Sequence, residues 1–485
     1  MITKSDQSAI KSYLEDSSNL HGGHADKVVI PENVGELSSL LAECSSNKTP
    51  VTISGGGTTT TGSRIPFGGI VISTEKFRRI INIDKGSLSC TVEAGATVDD
   101  LQCACGKEGI FYASHPTEKN AFLGGTIATN ASGARSYRYG ATRKSVKSIS
   151  MVLATGEIFK LRRGEMMLSG RNISLSLPGG RRIEVGLPGY NMPDVKNAAG
   201  YFVKDNMDLM DLFIGQEGTL SVITEAELAL ELKPSEIRSC FAFFKDEESS
   251  WAFAEDLKMR KDWKLLSVEY FSENALKLLR GKNPNVPAAA RGAIFFEEEG
   301  EEGHRYSAAD RWLKLIEGRG GSVDDTWVAM NEKEAENFTS FRYAIPEAVN
   351  EIVKASGFRK FSTDIAVPRE GFFEMMKFYK DTFRDDGMRN VTFGHIGENH
   401  VHANALPASE AELKRAKEIC LKFVRKGVSL GGTVSAEHGI GKIKHEYLKE
   451  MYKDNGVSEM VRVKKAFDPG CILGLDNIFP KELLQ

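Results

Sequence analysis

Three of the nine histidines fall within eight residues, as His395, His400 and His402 of Gly394-His395-Ile396-Gly397-Glu398-Asn399-His400-Val401-His402. A fourth, His438, directly follows Glu437 in Ser435-Ala436-Glu437-His438-Gly439-Ile440-Gly441. Imidazole changes charge near neutral pH and, when neutral, ligates metals, so such clusters suit proton transfer or cation binding. Glycines beside each cluster permit tight bends that aim the side chains at one spot. Two imidazoles and one carboxylate are only a partial ligand set. On spacing alone, a catalytic or metal centre and ordinary histidines at strand ends both stand.

Two glycine-rich stretches point to an extended anionic ligand. The strand-like run Val51-Thr52-Ile53-Ser54 feeds Gly55-Gly56-Gly57-Thr58-Thr59-Thr60-Thr61-Gly62. Consecutive glycines let backbone N–H groups converge on a phosphate, and the threonine hydroxyls add donors. No Gly-Lys-Ser/Thr follows, so this is not a Walker loop. No helix pattern follows either, which sets aside the G-x-G-x-x-G fingerprint. The second stretch runs from His115-Pro116-Thr117 through Leu123-Gly124-Gly125-Thr126-Ile127-Ala128-Thr129-Asn130-Ala131-Ser132-Gly133-Ala134-Arg135. A core helix would carry larger apolar side chains there, so a loop along the ligand is expected. Two such loops suit a dinucleotide better than a single phosphate.

The elements that must position these residues fall into successive α+β regions. A chain of 485 residues is too long for one core. Strand patterns at Val28–Ile30, Val51–Ser54, 69–73, 80–83 and 89–95 lead to a last one at 219–224. Val34, Leu37, Leu40, Leu41 and Cys44 have helical spacing, and Thr97 is a plausible N-cap for another helix. From Cys240 the pattern alternates: strand at 240–244, helix at 248–261, strands at 266–271 and 293–296, helix at 306–317. The basic stretch 161–190, with Arg162, Arg163, Arg171, Arg181 and Arg182, reads as a solvated surface loop, or else a docking surface for an acidic partner or an anionic membrane.

Composition narrows the class further. A net charge of −3 gives no basic excess for nucleic acid. Seven irregularly spaced cysteines imply a reduced, intracellular setting without a zinc or iron–sulfur motif. No apolar N-terminal run suggests a signal peptide, and no long apolar stretch a membrane span.

Both glycine stretches, in this order, resemble the FAD-binding domain of the vanillyl-alcohol oxidase superfamily, the PCMH-type FAD fold. Lys196-Asn197-Ala198-Ala199-Gly200-Tyr201 and Ile214-Gly215-Gln216-Glu217-Gly218-Thr219-Leu220 resemble two further blocks of one branch. That branch holds D-lactate dehydrogenases, the glycolate oxidase flavin subunit and D-2-hydroxyglutarate dehydrogenases. The resemblance spans about residues 20 to 479 and implies an α+β fold: an FAD-binding domain over 1–232, a substrate domain with an antiparallel sheet over 233–425, and a segment 426–485 returning to the first domain.

The resemblance implies non-covalent FAD, with Ser54, Gly55, Gly56, Gly57, Thr58, Thr59 and Gly62 around its pyrophosphate. Pro116, Thr117, Gly124, Gly125, Ala128, Asn130 and Gly133 would follow along the cofactor. Glu217, Gly218 and Ile223 would lie near the adenosine portion or flavin edge. It further implies His395, His402 and Glu437 as ligands to a divalent ion such as Zn, Mn or Fe, with His438 as the catalytic base and Arg342 as the carboxylate grip. A lysine common in the family corresponds to Ser362 here, and Lys360 stands two residues earlier as a substitute. His400 replaces the asparagine of the family's block and reads as exposed rather than as an outer donor. At position 474 a family asparagine is replaced by glycine.

The activity implied is oxidation of a D-2-hydroxy acid of the lactate, glycolate or 2-hydroxyglutarate class. Alternatives are a related flavoenzyme acting on a sugar or alkyl-glycerone phosphate, and an FAD electron-transfer subunit without its own substrate. The electron acceptor would be an iron–sulfur subunit, an electron-transfer flavoprotein, a cytochrome or a quinone. A homodimer is expected in the cytoplasm, with peripheral contact at the inner face of the membrane left open.

Overall fold

The computed structural model of the protein describes residues 1–300 and 305–485. Its first part pairs two sheets. A four-stranded sheet runs in the order Ile2–Lys4, Lys27–Ile30, Ile70–Ser73, Val51–Ser54, with parallel pairing on both sides of Ile70–Ser73. Parallel strands need covered faces. The helix Val34–Asn47, capped by Asn33, buries Leu37, Leu40, Leu41 and Cys44 for this purpose. A five-stranded antiparallel sheet follows in the order Ile80–Asp84, Ser89–Glu93, Ser221–Ala229, Val146–Leu153, Ile158–Arg162. Thr97 caps the helix Val98–Gly106 in a capping box with Asp100.

The chain then enters an eight-stranded antiparallel sheet. Its spine is Glu236–Phe244, Gly292–Gly300, Leu265–Ser272, Asn390–Gly394 and His400–Ala405. Phe241, Phe243, Phe271 and Phe295 fill one of its faces with aromatic bulk. The last residues go back to the first sheet, where Val51 N–H donates to Ile472 O and Gly474 N–H donates to Val51 O. Among the described residues no helix is long and apolar enough to cross a membrane.

Two expectations are corrected here. Leu123–Thr129 is not a loop but an α-helix, ended by Asn130 in the left-handed region. Gly124 lies where the helix comes close to its neighbours: a Cβ there would come 2.6 Å from the Ala94 Cβ, while Leu123 and Ile127 bury larger side chains. The basic stretch is not a solvated loop. It holds a hairpin, Asn172–Ser176 with Arg182–Gly186, that buries Ile173, Leu175 and Ile183. Two of its arginines are spent on neighbours, Arg171 on Asp205 and Arg181 on Glu157.

Candidate active site

A cavity of about 880 Å³ lies between these parts. One arm is lined by the glycine stretches, the other by the histidine blocks. Gly55, Gly56, Gly57, Thr58, Thr59, Pro116, Thr117, Gly124, Gly125, Ala128, Gly133, Glu217, Gly218 and Ile223 all reach its wall, as do Arg342, Lys360, His395, His402, Glu437 and His438.

Three proposed cofactor residues stand behind the wall instead. Ser54 accepts a hydrogen bond from Arg64 Nε at 2.7 Å. Gly62 has φ +73 and turns the loop against Leu20. Asn130 accepts from Arg143 N–H at 3.0 Å and donates to Asn197 O at 3.3 Å. Glu217 is at the wall, but its carboxylate is committed: it accepts from the Ile440 and Gly441 N–H groups, each at 2.7 Å. Burial nonetheless pushes its pKa up to about 7.

The glycine arm suits a cofactor with phosphates. Gly57 sits at φ +78, a conformation that strains any larger residue, and a Cβ there would displace the Arg64 guanidinium. Arg64 and Lys442 line this arm, and neither has a carboxylate within ion-pair distance among the described residues. Burial lowers the pKa of both, that of Lys442 to about 8. Asn477 Nδ2 donates to Ser63 O at 2.9 Å and Glu217 O at 2.8 Å, fastening the C-terminal segment to the end of the first glycine stretch and to the block around Glu217. It lies three residues beyond the glycine that replaces the family asparagine.

The histidine arm is built on a hairpin. Asn390–Gly394 pairs with His400–Ala405, Phe393 lying opposite His402. The link between them turns through Asn399 at φ 53, a left-handed position where asparagine is tolerated. His395 Nε2 lies 3.4 Å from one Glu437 oxygen and His402 Nε2 3.1 Å from the other. Both rings are fixed from behind, His395 Nδ1 by Glu269 at 2.7 Å and His402 Nδ1 by Thr363 O at 3.1 Å. Nε2 atoms facing a carboxylate, each braced through Nδ1, fit a divalent cation. Ligand atoms of His395, His400, His402 and Glu437 all lie within 4.8 Å of one another.

Charges around this centre are paired. Lys196 Nζ meets Glu437 at 2.8 Å and Glu398 at 3.0 Å. Burial works against a charged Glu437, but Lys196 and His395 hold its pKa well below the ordinary value. Burial would also lower the His395 pKa, yet Glu269 and Glu437 raise it to about 9. Arg342 does not stand free for substrate: Nε and Nη2 donate to Glu269 at 3.1 and 2.9 Å. Burial opposes ionisation of Glu269, but Arg342 and His395 bring its pKa down to about 2.

His438 is half-buried, with Nδ1 3.3 Å from Asp364 and Nε2 3.6 Å from Glu437. Asp364 also accepts from Lys444 Nζ at 2.8 Å, Ser435 Oγ at 2.7 Å and His438 N–H at 3.0 Å. His400 is not exposed: it is fully buried. Lys360, on the outer wall, has only Asn350 Oδ1 at 3.4 Å among the described residues, and desolvation lowers its pKa to about 8.

Residues 233–475 match the model of the FAD linked oxidases, C-terminal domain, and residues 25–162 that of an FAD binding domain. The chain belongs to the FAD-linked oxidases. It is 28% identical to glycolate oxidase subunit GlcD of Bacillus subtilis, over 97% of this chain and 92% of that protein. It is 27% identical to a D-lactate dehydrogenase of Anaerostipes hadrus, over 96% and 92%. Among solved structures, an alkyldihydroxyacetonephosphate synthase superposes with a TM-score of 0.66 at 16% identity, covering 97% of this chain and 82% of that one.

In this FAD-linked oxidase, sequence reasoning missed Glu269, Asp364 and Arg64, and quoted Lys196 only as part of a block. Glu269 and Asp364 sit in strand-like runs with no local signal, and their partners are distant, 126 residues away for Glu269 and His395. The burial of His400 was readable. In a strand, residues two apart share a face, so His400 and His402 must turn the same way.

Proposed function

We propose that the protein is an FAD-dependent dehydrogenase of D-2-hydroxy acids, of the lactate, glycolate or 2-hydroxyglutarate class. The observation that carries this reading is the convergence of His395, His402 and Glu437 beside His438, in a cavity continuous with the glycine arm. Relatives named as a glycolate oxidase subunit and a D-lactate dehydrogenase support it.

Gly55, Gly56, Gly57, Thr58 and Thr59 would hold the FAD pyrophosphate, and Pro116, Thr117, Gly124, Gly125, Ala128 and Gly133 the rest of the cofactor. His395, His402 and Glu437 would hold a divalent ion such as Zn, Mn or Fe. When bound, FAD supplies a hydride acceptor at flavin N5 and the ion a Lewis acid for the substrate's hydroxyl and carboxylate oxygens.

The chain's own residues do the rest. His438 takes the hydroxyl proton at Nε2, while Asp364 orients the ring through Nδ1. Arg342 binds the substrate carboxylate through Nη1, since Glu269 occupies its other edge. Lys360 adds a second cationic contact from the outer wall. The electrons leave to a separate acceptor, a protein or a quinone.

Anaerobic addition of D-lactate, glycolate or D-2-hydroxyglutarate should bleach the flavin band, and a chelator should suppress the bleaching. His438→Ala should retain FAD yet lose reduction by more than roughly a hundredfold, as general bases contribute. Bleaching by none of these acids, with flavin bound, would sink the reading. An unchanged rate for His438→Ala in stopped flow would remove His438 as the base.

A further inference from the structure

We propose that His400 is a fourth protein ligand to the ion, so that this chain builds a centre of three histidines and one glutamate. The inference rests on the metal reading above and adds a ligand at a position where the related pattern has asparagine.

His400 opens the strand His400–Ala405, two residues before His402, so both side chains lie on one face. Their ring centroids are 4.7 Å apart, and that of His395 lies 5.4 Å from His400. One ligand atom from each of the three histidines and from Glu437 falls within a 4.8 Å set. His400 is also the one histidine of this group left unsatisfied. Its exposure is 0%, and Nδ1 has no hydrogen-bond partner among the described residues. Nε2 lies 3.1 Å from Asp364 Oδ1. By contrast His395 and His402 each direct Nδ1 to a partner behind the ring.

A buried imidazole with Nδ1 unmet calls for a missing partner. A cation among four converging ligand atoms is one, and Asp364 is placed as the outer carboxylate that a metal-bound imidazole uses. A third imidazole has two consequences. It leaves fewer positions on the ion for substrate oxygens, and it favours ions that prefer nitrogen, such as Zn²⁺, over Mn²⁺ or Mg²⁺.

The test uses the flavin-loaded protein and its His400→Asn variant. Zn²⁺ affinity is measured by chelator competition, Mn²⁺ affinity alongside it, and flavin content serves as the check on folding. In the variant Zn²⁺ should bind at least roughly tenfold more weakly, with a smaller loss for Mn²⁺. X-ray absorption at the zinc edge of the parent should count three imidazoles, a measurement that stands even if the variant fails to fold. Two imidazoles in the parent, or Zn²⁺ affinity within twofold in a flavin-replete variant, overturns the fourth ligand and leaves the His395–His402–Glu437 site intact. A parent that takes up neither ion overturns both.

Discussion

The glycine arm and the histidine arm of the cavity solve the same problem with different materials. Along Gly55–Gly57 and the helix Leu123–Thr129 the wall is largely backbone, and small residues let it come close. Around His395, His402 and Glu437 the wall is side chain, and each group is held by another: Glu269 behind His395, Thr363 behind His402, Lys196 behind Glu437. A backbone wall tolerates loss of a hydroxyl but not gain of a methyl. A side-chain network does the reverse, since removing one member leaves its buried partners unmatched.

The sharpest break should come at Glu437, which joins both histidines and Lys196. Glu437→Ala should lose bound ion and slow substrate reduction by more than roughly a hundredfold, beyond what outer-sphere changes cost. FAD content should stay near the parent's, because Lys196 keeps Glu398 and, among the described residues, the only link lost to the glycine arm is the 3.3 Å hydrogen bond that Ser132 Oγ donates to Glu437. Elemental analysis, flavin absorbance and stopped flow read the three quantities. Loss of flavin with the ion would mean that the arms are one structure.

A pair of adjacent glycines tests the other material. A Cβ on Gly124 would meet Ala94 at 2.6 Å, whereas one on Gly125 would find nothing within 4 Å of it. Gly124→Ala should destabilise the apoprotein by about 1–3 kcal/mol through overpacking. Gly125→Ala should stabilise the apoprotein by about 0.5–1 kcal/mol, since alanine favours helix, yet weaken FAD because the methyl enters the cavity. Thermal melts of the flavin-free variants, beside flavin titrations, separate the two. Equal melts would show that the helix does not depend on its close approach to the sheet.

The same contrast explains what could be read from sequence. A wall made of backbone leaves a local mark, so Gly55–Gly57 and the small residues of 123–133 were legible as cavity-facing, although 123–129 was mistaken for a loop. The error has a physical source: at Gly124 the helix packs so tightly against Ala94 that only glycine fits, and a Gly-Gly pair is also what a loop would carry. The clustered histidines were legible because a hairpin brings neighbours in sequence together. The charges that hold them were not. Lys196 and Glu437 are 241 residues apart, and Arg135, which pairs with Glu297, lies 162 residues from it. Such pairs follow from tertiary packing, which no local period encodes. Arg342 was found, but not the Glu269 that occupies half of its guanidinium.

The smallest effect is expected where a side chain decorates a backbone wall. Thr59 Oγ1 already shares hydrogen bonds with the Thr61 and Ser63 hydroxyls, each at 3.2 Å, so its contribution to a ligand competes with bonds it has when empty. Thr59→Ala should therefore weaken FAD by no more than about 1 kcal/mol, roughly fivefold, the net worth of a neutral hydrogen bond. Fluorescence titration of the apoprotein with FAD measures it. A fiftyfold loss would mean that the first loop grips its ligand through hydroxyls as strongly as the other arm does through imidazoles, and the division between the two arms would fail at its simplest point.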